Sequence, residues 1–398
     1  TLALETARWE EVQNYAEKAL TRNENSGKAW YLLGVALLQQ GNHEGAKQAG
    51  YKAARTLQEI GRGYQLAGRA EMRLGDFSGA RHAFEQAVAA EPMDTRSYNS
   101  LLAAMLKEGS FHLQRNEAKK KAFECPADYI LCALIALEKK APADFTAVIQ
   151  QGFGEKFFTV QETACFLADL GLYAEAAVLL ESALGTMGDD LMTHCYTAWC
   201  LSKADLRDEA AKHLQQAATM SPDYVMPSRP EEIAVLEYAL SSQPDSAAFH
   251  LLYGHVLGAL KRMEEAVTQW NKAVELDASL SVGWRLLAMN EWKAKGDAEA
   301  ALPLLDKAIA ARPDDQILYR DKAVLLEKTG NRAAGIALIE AMPRKRVVRY
   351  DIHLWLAQAY VDEKRYDDCI EMLSEVRFSN WEASTKPHDI FVSALLAR

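Results

Sequence analysis

The chain has 398 residues, 49% of them hydrophobic, with only 22 glycines and 11 prolines, so it can build a continuous core and is poorly suited to an all-β fold with frequent turns. Its formal net charge of −10 speaks against nucleic acid as a partner. No run of apolar residues approaches the ~18 needed to span a membrane.

Taken in order, residues 1–26 read as the second helix of a hairpin, with Val12, Ala16 and Ala19 along one face. The next unit places Trp30, Leu33, Gly34 and Leu37 in a first helix and Ala46, Gly50 and Ala53 in a second. The slots 34 residues further on hold Tyr64, Ala67, Gly68, Glu71, Ala80, Phe84 and Ala87, and Pro92 ends that unit. Large side chains on the first helix wedge against the second. The small residue after Leu33 or Ala67 is expected to let the two backbones approach, and the proline stops the helix. Gly61-Arg62-Gly63 reads as a turn between helices. Residues 95–156 keep helical patterning but lose register around Phe111–Lys121.

The pattern returns at 157–190 through Val160, Thr163, Ala164, Leu167, Ala176, Leu180 and Ala183, and at 191–224 through His194, Thr197, Ala198, Leu201, Ala210, Leu214 and Ala217. It then breaks. Pro227 and Pro230 stand three apart with Arg229 between them, which excludes a helix and predicts an extended joint. A half repeat follows, with Ile233, Leu236 and Ala239 in its slots. The joint reads either as a structural connection or as a contact loop built on Pro227, Arg229 and Pro230. Full units resume at 247–280 (Tyr253, Gly254, Ala266, Trp270, Ala273) and at 281–315, with one extra residue near Lys295-Gly296-Asp297. Residues 316–349 keep Tyr319 and Ala323 and then drift; 350–380 carries Leu356, Ala357, Tyr360, Cys369 and Leu373; 386–398 begins another first helix. Three parts are therefore expected: an array over 1–224, a joint with a half repeat over 225–246, and an array over 247–398. Both ends read as cut, as in a piece of a longer polypeptide that opens at Thr1.

These spacings resemble the tetratricopeptide repeat (TPR) superfamily, W-x2-L-G-x2-Y followed by A-x3-F-x2-A and P. The resemblance implies an all-α right-handed TPR superhelix, a solenoid of antiparallel helix pairs with a concave groove for a partner. A narrower resemblance lies in the second half. Tyr224-Val-Met-Pro-Ser-Arg-Pro-Glu-Glu-Ile233, Trp284-Arg-Leu-Leu287 and Arg377-Phe-Ser-Asn-Trp-Glu382 look like the TPR region of large bacterial proteins. In these proteins a mutarotase-like domain of unknown function precedes the repeats. The sequence departs from that pattern after Trp381-Glu382, where Ala383-Ser-Thr-Lys386 replaces a glycine-rich stretch. This resemblance implies an accessory region of a carbohydrate-active protein.

No catalytic, metal or cofactor constellation stands out. The six cysteines (Cys125, Cys132, Cys165, Cys195, Cys200 and Cys369) form no Cys-x-x-Cys pair and read as small buried thiols at helical positions in a reducing, cytoplasmic setting. His250 and His255 are five apart, and His194 beside Cys195 points about 100° away from it on a helix, so neither pair meets. More informative are the second, fifth, ninth, twelfth and thirteenth positions of each unit, which line a TPR groove. They hold Lys28, Tyr31, Arg62, Gln65, Arg69, Arg73, Arg96, Asn99 and Lys107, then Trp199, Lys203, Arg285, Trp292, Lys293 and Arg320. On an acidic protein this stripe reads either as a site for an acidic or C-terminal carboxylate peptide or as a plain solvated face. Trp199 and Trp292 read as core or as stacking platforms. The expected function is thus a scaffold that binds a protein, a peptide or another domain of the same polypeptide, without nucleic acid or cofactor, and with a homodimer open. A helical-toroid carbohydrate enzyme is the rival.

Overall fold

The computed structural model describes residues 2–139, 157–343, 348–376 and 385–398, and every regular element among them is a helix. Residues 377–382, which carry part of the narrower resemblance, lie outside the described residues. The chain forms two units, residues 1–244 with 255–262 and residues 245–254 with 263–398. The first contains α1 (Leu2–Glu5), α2 (Trp9–Arg22), α3 (Gly27–Gln39), α4 (His43–Ala53), α5 (Ile60–Leu74), α6 (Phe77–Ala90) and α7 (Thr95–Glu108). It continues with α8 (Arg115–Glu124), α9 (Tyr129–Lys139), α10 (Phe157–Asp169), α11 (Tyr173–Met187), α12 (Leu191–Lys203), α13 (Arg207–Ala218) and α14 (Glu231–Ser242). Helix α15 (Ala247–Ala259) is divided between the units. The second unit continues with α16 (Met263–Leu276), α17 (Ser281–Lys293), α18 (Ala298–Ala311), α19 (Gln316–Lys328), α20 (Arg332–Glu340), α21 (Tyr350–Asp362), α22 (Tyr366–Glu375) and α23 (Lys386–Ala397).

Each hairpin is built by the same local chemistry. Its inner turn passes through one residue in the left-handed region, which ends the first helix. Positions 7, 41, 75 and 109 stand 34 apart and all have positive φ; so do 171 and 205, and 296, 330 and 364. The step from Lys261 to Gly296 is 35, where the sequence places its extra residue. In some hairpins a short polar side chain then caps the second helix. The Asn42 and Asp76 oxygens each accept the backbone N–H three residues on, at 2.9 Å. Caps of this kind recur at Asp94, Asp190, Asp297 and Asp315.

The packing follows the slots. Ala46, Ala53, Ala80, Phe84, Ala87, Ala176, Leu180, Ala183, Ala210, Ala217, Ala266, Ala273, Ala301, Leu305 and Ala308 are fully buried. A fully buried Leu or Phe stabilises by about 1.5–3 kcal/mol. Aromatic residues at the front of the first helix tie it to the preceding turn. Trp30 Nε1 donates to Glu24 O (2.7 Å), Trp284 Nε1 to Ala278 O (3.0 Å) and Tyr319 Oη to Pro313 O (2.9 Å), each six residues back. Lys52 and Lys307 lie over the two indoles. The all-α TPR architecture expected from the spacing is the one the chain adopts.

Two local expectations are corrected. Gly61 and Gly63 lie in the first turns of α5; the connection comes before them, through the short 3-10 helix Leu57–Glu59. At Gly68 the small first-helix residue makes room for a side chain, a Cβ there standing 2.6 Å from the Phe84 ring, whereas at Gly34 a Cβ would meet Leu66 Cδ2 (2.6 Å) and also the Ala46 carbonyl (3.3 Å). Backbones do meet at Gly50 and Gly63, where a Cβ on Gly63 would lie 2.7 Å from Gly50 O and 2.8 Å from Ala54 Cα. Only hydrogen fits between two main chains so close.

Candidate functional site

In the first unit the residues of the expected basic stripe are carried by first helices of the hairpins, beginning with α3, α5 and α7. Lys28 on α3 is exposed, and Tyr31 packs partly buried against Leu38, Ala46, Leu66 and Ala70. Arg62 on α5 is 65% exposed, with Glu59 at 3.9 Å. Gln65 is buried and donates to Ser100 Oγ on α7 (2.8 Å). Asn99 is also buried, and its Nδ2 donates to both oxygens of Asp128 (3.0 and 3.2 Å), the residue that caps α9 through Leu131 N. Gln161 on α10 repeats that bond to the Asp190 cap of α12 (3.0 Å). These amides therefore fasten one hairpin to the next.

Three arginines converge on one carboxylate. Arg69 on α5 donates from Nη2 to Asp169 Oδ1 (2.5 Å), and Arg96 on α7 donates from Nη2 to Asp169 Oδ2 (3.1 Å). Arg73 binds the backbone at the same helix end, with Nε donating to Asp169 O (3.0 Å) and Nη2 to Ala168 O (3.2 Å). It thus caps the C-terminus of α10, where unpaired carbonyls and the helix dipole favour a cation. About three turns further along α7, Lys107 Nζ donates to Glu175 Oε1 (2.8 Å). Arg69 and Arg73 are only 15% and 17% exposed, so neither is a plain solvated side chain, while Arg96 is 57% exposed.

Burial alone would raise the Asp169 carboxyl, but the Arg69 charge and hydrogen bond, followed by the Arg96 and Arg73 charges, hold it below the usual range. The unfolded chain carries this group near the ordinary value of about 3.9. Because the folded pKa is the lower one, the network's contribution is complete above the unfolded value and is lost as pH falls through the folded one. The stability gap between wild type and Asp169→Asn, read from urea denaturation, is expected to stay constant above about pH 5 and to narrow below about pH 4. A gap that holds its size into stronger acid would contradict this pairing.

The remaining candidates lie in other settings. Trp199 meets Tyr173 edge-on, ring centroids 5.5 Å apart, and Lys203 is exposed. In the second unit Trp292 packs against Ala288, Ala301, Leu305 and Leu325, with Lys293 over its ring. Arg285 Nε donates to Asp321 Oδ2 (2.7 Å), and Arg320 pairs with Asp321 (2.7 Å) and Asp351 (3.5 Å). Residues 220–230 form no helix. There Pro227 is buried, Pro230 is exposed, and the Arg229 guanidinium lies 3.8 Å from the centre of the Phe158 ring, with Glu162 at 3.6 Å. Glu232 accepts the Ser228 and Arg229 N–H groups (2.6 and 2.7 Å) and holds the joint to the start of α14. Burial raises its carboxyl despite these bonds.

His194 turns to His213 (Nδ1 to Nδ1, 2.9 Å) and to Asp189 (3.2 Å), not to Cys195. Burial pushes the Cys195 thiol far up and that of Cys165 to about 12, the opposite of a reactive thiolate. Of the cysteines expected to be buried, Cys195, Cys200 and Cys369 are, Cys132 and Cys165 are partly so, and Cys125 is exposed after the end of α8. Among the described residues no helix is long and apolar enough to cross a membrane, and no three His, Cys, Asp or Glu side chains converge as metal ligands. Reading the stripe for bases alone misses the acids that meet it, Asp169, Glu175, Asp321 and Asp351.

The tetratricopeptide repeat family model matches residues 1–59, 66–122, 233–280 and 293–346, more than half of the chain. Solved structures to which the chain is similar include the yeast Tom70, at 17% identity over 99% of this chain and 93% of that one, with a TM-score of 0.26. Human IFIT1, solved as a dimer with m7Gppp-AAAA, is similar at 15% identity over 98% and 94%, TM-score 0.33. Naa15/Naa10 bound to HypK-THB is similar at 15% identity over 99% and 77%, TM-score 0.29. With turn residues standing 34 apart in several runs of hairpins and the family model matching more than half of the chain, the chain belongs to the tetratricopeptide repeat family.

Proposed function

We propose that the chain is an interaction module whose first unit holds a protein partner through a carboxylate-bearing segment, either an acidic run or a C-terminal carboxylate. The observation that supports this is the pairing of Arg69 and Arg96: from successive first helices they give one N–H to each oxygen of a single carboxylate. Planar guanidinium donors at that spacing are what carboxylate recognition requires. Exposed Lys28 and Arg62 extend the positive face along α3 and α5 of an otherwise acidic chain.

The test is calorimetric titration of the full chain with a hexaglutamate peptide, a hexalysine peptide and a neutral peptide of equal length. Only the acidic peptide is expected to bind, more weakly as salt rises. Arg96→Ala should cost about threefold to tenfold in affinity, the range of one half-exposed charged hydrogen bond. Equal binding of all three peptides, or an affinity indifferent to salt, counts against the reading.

A further inference from the structure

We propose that Asp169 is an internal occupant of this site, a tethered carboxylate that an acidic partner must displace; the inference rests on the function proposed above. Asp169 takes the donors an incoming carboxylate would need, Arg69 through one oxygen and Arg96 through the other. The two states are mutually exclusive at those two nitrogens. Yet three guanidinium groups surround one carboxylate, so the node stays cationic and still attracts a second anion. Arg96, 57% exposed against 16% for Asp169, is the side from which a ligand gains access.

Exchange need not unfold the hairpin. Arg73 hydrogen-bonds the carbonyls of Ala168 and Asp169 and meets the side chain only at 3.9 Å, so the end of α10 stays docked when the carboxylate leaves. Gly171, with φ +78, turns the chain immediately after it and sits against the Arg73 side chain. A tethered competitor acts at an effective concentration on the order of millimolar. The site is thereby closed to isolated carboxylates and open to partners that present several acids at once.

The probe is the same hexaglutamate peptide, titrated into the full-length wild type, Asp169→Asn and Asp169→Asn/Arg96→Ala. Asparagine keeps the shape of the side chain and removes its charge, and it leaves both Arg73 bonds intact. Asp169→Asn is expected to bind about tenfold more tightly than wild type, and the added Arg96→Ala to abolish most of that gain. Binding by wild type with no gain in Asp169→Asn overturns the internal occupant and leaves the proposed function standing. No binding by either protein overturns both. Should Asp169→Asn fail to fold, wild type supplies the readout: the Asp169 carboxyl, followed by ¹³C NMR, is expected to titrate higher with saturating peptide because it has lost Arg69 and Arg96. An unchanged titration overturns the proposal.

Discussion

Ala87→Arg is expected to unfold the hairpins around α6, whereas Ala89→Arg, two residues along the same helix, should leave stability within about 0.5 kcal/mol of wild type. Ala87 is fully buried and Ala89 is exposed. With Ala80, Ala83 and Phe84, also fully buried, Ala87 forms the face of α6 that packs against α5 and α7. A long side chain in that seam costs about 1–3 kcal/mol in overpacking. Its guanidinium would be left without water or a partner, which costs several kcal/mol more. Repeat arrays share stability between neighbours, so the loss spreads to α5 and α7, the helices that carry Arg69, Arg73 and Arg96. Thermal melts followed by circular dichroism check this. Equal melting of the two variants would mean that the seam has been assigned to the wrong face.

Much of the hairpin is legible in the sequence because its spacing does not depend on distant contacts. Ala80, Phe84 and Ala87 announce a buried face by position alone, and the same slots recur up to Cys369. The left-handed turn residue is half hidden. Gly41, Gly75 and Gly109 are visible at 34-residue steps, but Asp205, Lys261 and Lys364 adopt the same backbone without a glycine to mark it. At the node, the signal was present and one-sided. The positions that collect Arg69, Arg73 and Arg96 also select Asp169, thirteenth in the unit that opens at 157, and Asp351, second in the one that opens at 350. Tallying acids with bases would have shown that the stripe carries its own counter-charges.

What counting could not supply is which acid meets which base. Asp169 lies 73 to 100 residues from its arginine partners, beyond the stretch where the 34-residue register slips between Gly109 and Gly171. Asp321 falls outside the groove positions altogether, yet it is the buried partner of Arg285 and Arg320. Pairing of this kind is set by how hairpins stack, a property of the assembled unit rather than of any one repeat.

Two glycines inside helices should respond to alanine with opposite signs. Gly185 lies within α11 with nothing within 4 Å of the place its Cβ would take, so Gly185→Ala is expected to stabilise by about 0.5–1 kcal/mol through backbone entropy alone. Gly63 gains the same entropy on substitution, but its Cβ would meet the main chain of α4 and of the residue just after it, 2.7 Å from Gly50 O and 2.8 Å from Ala54 Cα. Main-chain atoms in the packed seam between two hairpins cannot rotate away as a side chain can, so α4 and α5 must separate. The expected net loss is about 2 kcal/mol, and Gly63→Val should lose more, since its second methyl adds to the clash. Urea denaturation midpoints of the three variants decide the matter. A Gly63→Ala midpoint at or above wild type would show that α4 and α5 do not approach through hydrogen alone.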